Sequence, residues 1–226
     1  MGICEGCHAG CCRSFAIPVT GADILRIERD LGLNFWQFGC RWADPQGQIA
    51  QNYAPHFHFE DEPETPFTIC LIQRESSLFP GTTSCQFLHE DPPNELHPLG
   101  VGSCSIYGQR PAACRVFPTK FHPSQNLVQI GTVPERGREL SVDPIYQLCS
   151  RSWTVQDVDP LQSAQDLVVA KFEMDFFHQI ARQWNQQPLP WELFPDFLRM
   201  VYSGRVVLAA DAASESEKAI SERRAA

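Results

Sequence analysis

Apolar residues recur at helical spacing in two long stretches of the chain. The first stretch begins at Thr20, where Asp23 completes a short form of the capping box, and it ends at Gly32, a residue type that favours helix C-termini. The second stretch begins at Asp159-Pro160, a strong helix start. Its apolar positions are Leu161, Ala164, Leu167, Val168, Phe172, Phe176, Ile180 and Trp184. The spacing predicts two helices, and the longer one is expected to contribute this stripe to the core.

Apolar runs in the middle of the chain predict strands. Phe57 and Phe59 alternate with two histidines, which is the period of a half-buried strand. Residues 67–72 (FTICLI) form a continuous apolar run of strand length. Prolines and glycines are frequent between residues 80 and 102, so this stretch is predicted to be irregular.

Three shorter elements follow from local signals. Asn34 is a cap for a short helix that is expected to carry Cys40. Pro111 suits the first turn of another short helix, which places Cys114 one turn later. Residues 126–133 read as one more strand.

Composition and charge narrow the class of protein. The 226 residues are 43% hydrophobic and carry a net charge of -9, which disfavours a nucleic-acid partner and a polybasic membrane anchor. No run approaches the roughly 18 apolar residues of a membrane span, and the first residues lack the basic and apolar regions of a secretory signal. We therefore expect a cytoplasmic protein. Its ten cysteines are then expected to be metal ligands or redox groups rather than disulfides.

Seven of the cysteines form two blocks. The first block contains Cys4, Cys7, Cys11 and Cys12, and the second contains Cys85, Cys104 and Cys114. Thiolates grouped in this way usually hold a soft metal, so all seven are predicted metal ligands. A metal held by both blocks would tie remote segments together, and its removal is expected to unfold at least the first 120 residues.

The spacing within the first block distinguishes its members. Cys4-x2-Cys7 lets the chain turn so that both sulfurs face one metal. The side chains of Cys11 and Cys12 diverge because the residues are adjacent. Cys12 is therefore open to three roles: it binds a second metal, bridges two metals, or remains a free thiol.

Three arginines lie beside cysteines in the sequence: Arg13, Arg110 and Arg115. Guanidinium groups there would offset the negative charge of a thiolate site and donate hydrogen bonds to it. The alternative is that they form ordinary surface ion pairs.

The identity of the metal is also open from the cysteine spacing. The chain has neither a second Cys-x2-Cys, as a zinc ribbon would, nor the Cys-x2-Cys-x2-Cys-x3-Cys-Pro run of bacterial ferredoxins.

The two blocks resemble the YkgJ-type CxxCxxCC cysteine-cluster family, whose members are described as zinc- or iron-chelating. The resemblance covers about residues 4–120 and rests on five motifs. They are CHAGCCR (7–13), IPVTGADI (17–24), CQFL (85–88), CSIY (104–107) and RPAACRVFP (110–118). The chain has three residues between Cys7 and Cys11 where the common form has two, so Cys4 and His8 are alternatives for the usual first ligand.

The resemblance favours an iron–sulfur cluster slightly over zinc, since seven thiols exceed one closed tetrahedral zinc site. Three functions stay open. The first is a metal-binding cysteine-cluster protein with a redox, Fe–S oxidoreductase-like or metal-handling role. The second is a cluster-dependent protein N-methyltransferase that binds S-adenosylmethionine, because flagellin lysine methylases resemble the family in their cysteine pattern. The third is an interaction module with structural zinc and an unidentified protein partner.

Together these signals predict an α+β fold with a loop-rich, metal-organised N-terminal part and C-terminal helices. Residues 1–155 form the predicted metal-binding domain, and residues 156–210 form a helical segment packed on it that includes a last helix at Pro195–Gly204. Residues 211–226 form a predicted disordered tail.

The remaining candidate ligands are weaker. His89 and His97 flank Cys85 in the predicted irregular stretch and are better candidates than the histidines of the predicted strand. Cys40, Cys70 and Cys149 have no motif around them, so we expect them to pack in the core.

Overall fold

The described strands all lie within the first 130 residues, together with three helices, and the two C-terminal helices follow them. The computed structural model describes residues 6–49, 54–122, 124, 127–131, 143–148 and 153–205. Cys4, Cys149 and the predicted tail at 211–226 lie outside the described residues. The mixed α+β arrangement with C-terminal helices confirms the predicted fold class.

Two helices precede seven consecutive strands, and a third helix separates these from the last two strands and the C-terminal helices. The helices are α1 (Gly10–Ser14), α2 (Gly21–Leu31), α3 (Ala112–Val116), α4 (Pro160–Trp184) and α5 (194–205). The strands are β1 (Gly39–Ala43), β2 (Phe57–Phe59), β3 (Glu62–Leu71), β4 (Gln73–Glu75), β5 (Thr83–Cys85), β6 (Leu88–Asp91), β7 (Val101–Cys104), β8 (Thr119–Phe121) and β9 (Val128–Ile130). The first three strands form an antiparallel sheet in the order β1-β3-β2, and the others form the hairpins β4-β5, β6-β7 and β8-β9.

The two helices with strong capping signals form where the sequence predicts them. Thr20 Oγ1 accepts a hydrogen bond from the Asp23 amide at 3.1 Å, and Asp23 Oδ2 accepts one from the Thr20 amide at 3.2 Å. Gly32 ends α2 with a positive φ of 65°, a conformation that costs glycine little. Asp159 caps α4 by accepting from the amides of Leu161 and Gln162.

The core lies between the three-stranded sheet and the C-terminal helices. Phe57 packs on Phe177 with ring centroids 5.0 Å apart, and Phe59 packs on Trp184 at 5.7 Å. Phe194 of α5 contacts both Phe57 and Phe59. The sheet and the helical segment therefore share one aromatic core, which such edge-on ring contacts stabilise.

The predicted core stripe on α4 is wrong at three positions. Leu161, Val168 and Phe172 are exposed. The buried face of the helix consists of Leu167, Ala170, Met174, Phe177, Ile180, Ala181 and Trp184. Apolar residues occur around much of this helix, so the partners that pack against it, rather than the pattern alone, select the buried face.

Two other predictions are also corrected. The helix predicted after Asn34 is a single 3-10 turn at Phe35–Gln37, and Cys40 lies on strand β1, not on that helix. The stretch between residues 80 and 102 contains β5, β6 and the first half of β7, so it is not irregular throughout. Strands of three or four residues have too few positions to reveal a period of two in the sequence.

Within the described residues, no helix combines the length and apolar content required to cross a bilayer.

Candidate metal centre

Five of the predicted ligands converge from four different elements. Cys11 and Cys12 lie on α1, Cys85 ends β5, Cys104 ends β7, and Cys114 lies on α3. We call these five residues the thiol cluster. Burial raises the pKa of the Cys114 thiol well above its usual value, and its neighbours Cys85, Cys11 and Cys104 raise it further. Burial also raises the pKa of Cys85, to about 11, in an environment that includes Cys104 and Cys11.

A close backbone approach positions α1 and its two cysteines. Ala9 precedes the helix in a left-handed conformation, with φ of 60°. A Cβ atom on Gly10 would come within 1.9 Å of the Gln147 carbonyl oxygen, so this position requires glycine. Ser14 Oγ donates to the Tyr146 carbonyl oxygen at 3.0 Å. The segment at 143–148 therefore serves as the support on which α1 rests.

A buried ion pair ties α1 to the second hairpin. Arg13 Nη2 donates to Glu90 Oε1 on β6, and their side chains are only 2% and 5% exposed. Ser76 Oγ lies 2.8 Å from the same carboxylate oxygen, and the Arg13 guanidinium lies over the ring of Phe79. Of the two roles considered for Arg13, ion pairing is the one observed, but the pair is buried and not on the surface.

Two hairpins place Cys85 and Cys104. Cys85 pairs with Gln73 in the β4-β5 ladder, and Cys104 pairs with Leu88 in the β6-β7 ladder. Arg74 Nη2 donates to the Leu88 carbonyl oxygen at 3.0 Å, which joins the two hairpins. The two cysteines, 19 positions apart in the sequence, thus end neighbouring hairpins.

Asp23 connects α2 to the helix that carries Cys114. Its Oδ1 accepts a hydrogen bond from the amide of Ala112, the first residue of α3, at 3.1 Å. Arg26 Nη2 donates to the same oxygen at 2.7 Å and to the Arg110 carbonyl oxygen at 3.1 Å. One buried carboxylate therefore satisfies free amide groups at the starts of two helices.

We expect Asp23→Ala to lower the free energy of unfolding by about 2 kcal/mol, because it removes a cap from α2 and another from α3, each worth about 1 kcal/mol. Urea unfolding followed by circular dichroism measures the change. Asp30→Ala is the matched control, since Asp30 lies near the end of α2 and pairs with the exposed Arg29. Equal unfolding midpoints for the two variants would contradict the double-cap role.

Of the three arginines beside the cysteines, Arg110 is the one whose charge reaches the thiol cluster, and Arg74 of the β4-β5 hairpin also acts on Cys85. Burial raises the pKa of Cys104, and Arg110 opposes this rise. The guanidinium lies 3.7 Å from the ring centroid of Tyr107, and its Nε donates to the Tyr107 carbonyl oxygen. Arg115 instead approaches Asp166 on α4 at 3.8 Å. Charge compensation at the cluster is therefore assigned to Arg110, with Arg74 contributing at Cys85.

The adjacent cysteines of α1, Cys11 and Cys12, differ in how readily their thiols ionise. The interaction with the Cys12 thiol lowers the pKa of Cys11, and Arg110 acts in the same direction. The same interaction, together with burial, raises the pKa of Cys12 well above its usual value. Cys11 is thus the more readily ionised of the two, and an ionised thiol is the form that binds metals.

The other candidate ligands lie around the cluster. The Cys7 carbonyl oxygen accepts from the Gly102 amide at 2.7 Å, and its sulfur accepts from the Ala9 amide at 3.3 Å. His8 Nε2 is engaged with the Gln147 carbonyl oxygen at 2.5 Å, and burial lowers its pKa. His89 is exposed and lies 3.5 Å from Asp91. In the described part of the chain, no three His, Cys, Asp or Glu side chains are already arranged to hold one metal ion.

Sequence reasoning missed the residues that hold the cluster elements together. The sequence indicates only the local capping role of Asp23, and it contains no signal for the contacts of Glu90, Ser76 or Arg74. Their partners lie on other elements, so no local spacing could have identified them. The donor chemistry of the cluster itself suits soft or borderline metals such as zinc and iron.

Comparison with known proteins places this site in a wider group. The family model named CxxCxxCC, described as a "putative zinc- or iron-chelating domain", matches residues 3–135. This range is more than half of the chain and includes all seven cysteines of the two blocks. No curated protein matches the chain. No solved structure matches it.

Proposed function

Because the chain belongs to the CxxCxxCC family, we propose that the thiol cluster holds an iron–sulfur cluster that serves a redox or metal-handling role. The observation that carries this proposal is the convergence of five thiols from four separate elements. Cys11, Cys85, Cys104 and Cys114 are the four proposed thiolate ligands. Cys12 is assigned the role of donating a hydrogen bond to the sulfur of Cys11. Cys4 and Cys7 stay predicted ligands from the sequence.

The number of thiols favours a cluster over a single zinc ion. A closed zinc site uses four ligands, whereas the two blocks supply seven thiols, among them the predicted ligands Cys4 and Cys7. Four thiolates on an iron–sulfur cluster leave a net negative charge, which Arg110 offsets. An iron–sulfur cluster supplies one-electron redox chemistry, and hydrogen bonds to sulfur and solvent exposure set its potential. Here the Cys12 thiol supplies a hydrogen bond to sulfur, and the partial burial of Cys104 and Cys114 limits the solvent exposure that affects the reduction potential.

The composition of the bound metal tests the proposal directly. The full chain is purified without oxygen, and its iron, zinc and acid-labile sulfide are measured together with a visible spectrum. Iron and sulfide in a brown sample support the iron–sulfur proposal. Stoichiometric zinc in a colourless sample overturns it and favours the alternative, an interaction module organised by structural zinc.

Single substitutions test the ligand assignment. We expect Cys114→Ser to weaken metal binding by at least about a hundredfold, since even changes to groups that only support ligands cost about 10–100-fold. Cys12→Ser should leave the metal stoichiometry unchanged, because its proposed role is a hydrogen bond. Cys40→Ser is the matched control, as Cys40 is a half-buried cysteine on the sheet. Metal loss in the Cys12 variant would move that residue into the ligand set.

A further inference from the structure

Two cysteines outside the thiol cluster face each other across the sheet. Cys40 on β1 and Cys70 on β3 are direct partners in the antiparallel ladder. Directly opposed residues in such a ladder project to the same face of the sheet. The Cys40 sulfur lies 3.6 Å from the Cys70 carbonyl oxygen, so the Cys40 side chain lies against the Cys70 backbone. Cys70 is buried as predicted, whereas Cys40 is only half-buried.

The ladder sets the separation of the two residues. The Ile72 amide donates to the Phe38 carbonyl oxygen at 2.8 Å, and the Asp44 amide donates to the Pro66 carbonyl oxygen at 2.9 Å. These bonds make the pairs Gly39–Leu71 and Ala43–Phe67 non-hydrogen-bonded ones, so the alternation of the ladder makes Cys40–Cys70 a hydrogen-bonded pair. Such pairs have Cα atoms about 5.5 Å apart. Disulfides most often join Cα atoms about 5.5–6 Å apart and Cβ atoms about 3.8 Å apart. Opposed Cβ atoms in a ladder lie about 4.5–5.5 Å apart, so closing the bond requires a local shift of the two strands towards each other.

Solvent reaches only one cysteine of the pair. Cys70 is 0% exposed, whereas Cys40 is only half-buried. A soluble reagent can therefore reach Cys40 first, and Cys70 only through Cys40. Burial raises the pKa of both thiols, that of Cys40 to about 11. Thiol exchange needs a thiolate, so the reaction is expected to be slow at neutral pH.

We propose that Cys40 and Cys70 form a dithiol–disulfide couple that exchanges with low-molecular-weight disulfides. The Cys40 thiolate attacks one sulfur of the small disulfide, forms a mixed disulfide with it, and releases the other half as a thiolate. The Cys70 thiolate then attacks the Cys40 sulfur and releases the second half. The two cysteines lose two electrons in total, the small disulfide gains them, and the two cysteine protons go to the released thiolates.

The cross-link would act close to the metal centre without using its ligands. Cys70 lies three residues before Gln73, and Gln73 pairs with Cys85 of the thiol cluster. The disulfide would join β1 to the strand that leads into this hairpin. Formation of the Cys40–Cys70 disulfide does not depend on which metal the thiol cluster holds.

Peptide mapping of the metal-loaded full chain tests the couple. The protein is incubated with oxidised glutathione for several hours, blocked with an alkylating agent, digested without reductant and analysed by mass spectrometry, while bound metal is counted in parallel. The expected result is a linked Cys40–Cys70 peptide that lacks two hydrogens, with unchanged metal content. Loss of metal without this peptide would show that the oxidant attacks the thiol cluster instead, and this would overturn the proposal.

Two variants sharpen the test. Cys70→Ala should stop at a stable glutathione adduct on Cys40, because the resolving thiol is missing. Cys40→Ser should leave Cys70 reduced, because the entrance to the site is lost. If the unsubstituted protein also accumulates the Cys40 adduct, or if neither thiol reacts, no couple exists. If Cys70 reacts equally well in the Cys40 variant, the one-sided order of attack is wrong.

Discussion

Chelation of the metal is expected to unfold α1, the β4-β5 and β6-β7 hairpins and α3 while the aromatic core survives. These cluster elements are short: each of the two helices has five residues, and the hairpin strands have three or four. Two-stranded hairpins are marginal by themselves in water. Structural zinc in small modules contributes about 10–16 kcal/mol, and a whole domain is stable by only about 5–15 kcal/mol. The metal is therefore expected to dominate the stability of this region.

The structure limits the expected unfolding to part of the first 120 residues. Strands β1 to β3 lie within that range, but Phe57 and Phe59 pack on Phe177 and Trp184 of α4. Cys85 is the cluster residue buried within this core, and Cys12, Cys104 and Cys114 pack against the core from outside. The sheet and α4 can therefore retain much of their mutual packing when the metal is removed.

Hydrogen–deuterium exchange of the loaded and chelated full chain measures the effect. We expect amides of α3 and of the two hairpins to lose protection after chelation, while the amides of β3 and of residues 174–184 retain it. The Cys114→Ser variant should show the chelated pattern without chelator, and Cys40→Ser should show the loaded one. Unchanged protection of α3 after complete metal removal would contradict the prediction.

Glu90→Ala is expected to destabilise the protein by about 3–5 kcal/mol, because it leaves the Arg13 guanidinium buried without a counter-ion. Arg13 and Glu90 are almost fully excluded from solvent, so water cannot replace the lost carboxylate. Ser76 would also lose its acceptor on Glu90. The substitution therefore affects α1, β6 and the β4-β5 loop together.

Urea unfolding of the metal-loaded protein measures this loss. Glu75→Ala is the matched control, because Glu75 is exposed on the neighbouring hairpin. The double variant Arg13→Met/Glu90→Leu should recover much of the loss, since replacing both partners of a buried ion pair by apolar residues is often neutral or stabilising. A Glu90→Ala variant as stable as the Glu75→Ala control would show that Arg13 finds another partner or reaches solvent.

Several features were predictable because their physical cause is local. The Thr20–Asp23 cap and the Asp159 cap each join residues no more than three positions apart, so spacing reveals them. The motifs around the cysteines were enough to indicate the CxxCxxCC family, and the family model confirms it. The exposed face of α4 and the strand at Cys40 were predicted wrongly, because partners distant in sequence decide burial and pairing.

The zinc- or iron-chelating character, the α+β class and the positions of the capped helices follow from the sequence alone, since residue type and short spacing suffice for these. Which thiols meet, and what holds them there, follows only from the three-dimensional contacts. Asp23 caps a helix 89 positions away, Arg13 pairs with a glutamate 77 positions away, and Cys40 faces Cys70 across a ladder. Such contacts depend on how strands align and hairpins dock, and many segments contribute to that alignment at once. No local pattern can therefore encode them.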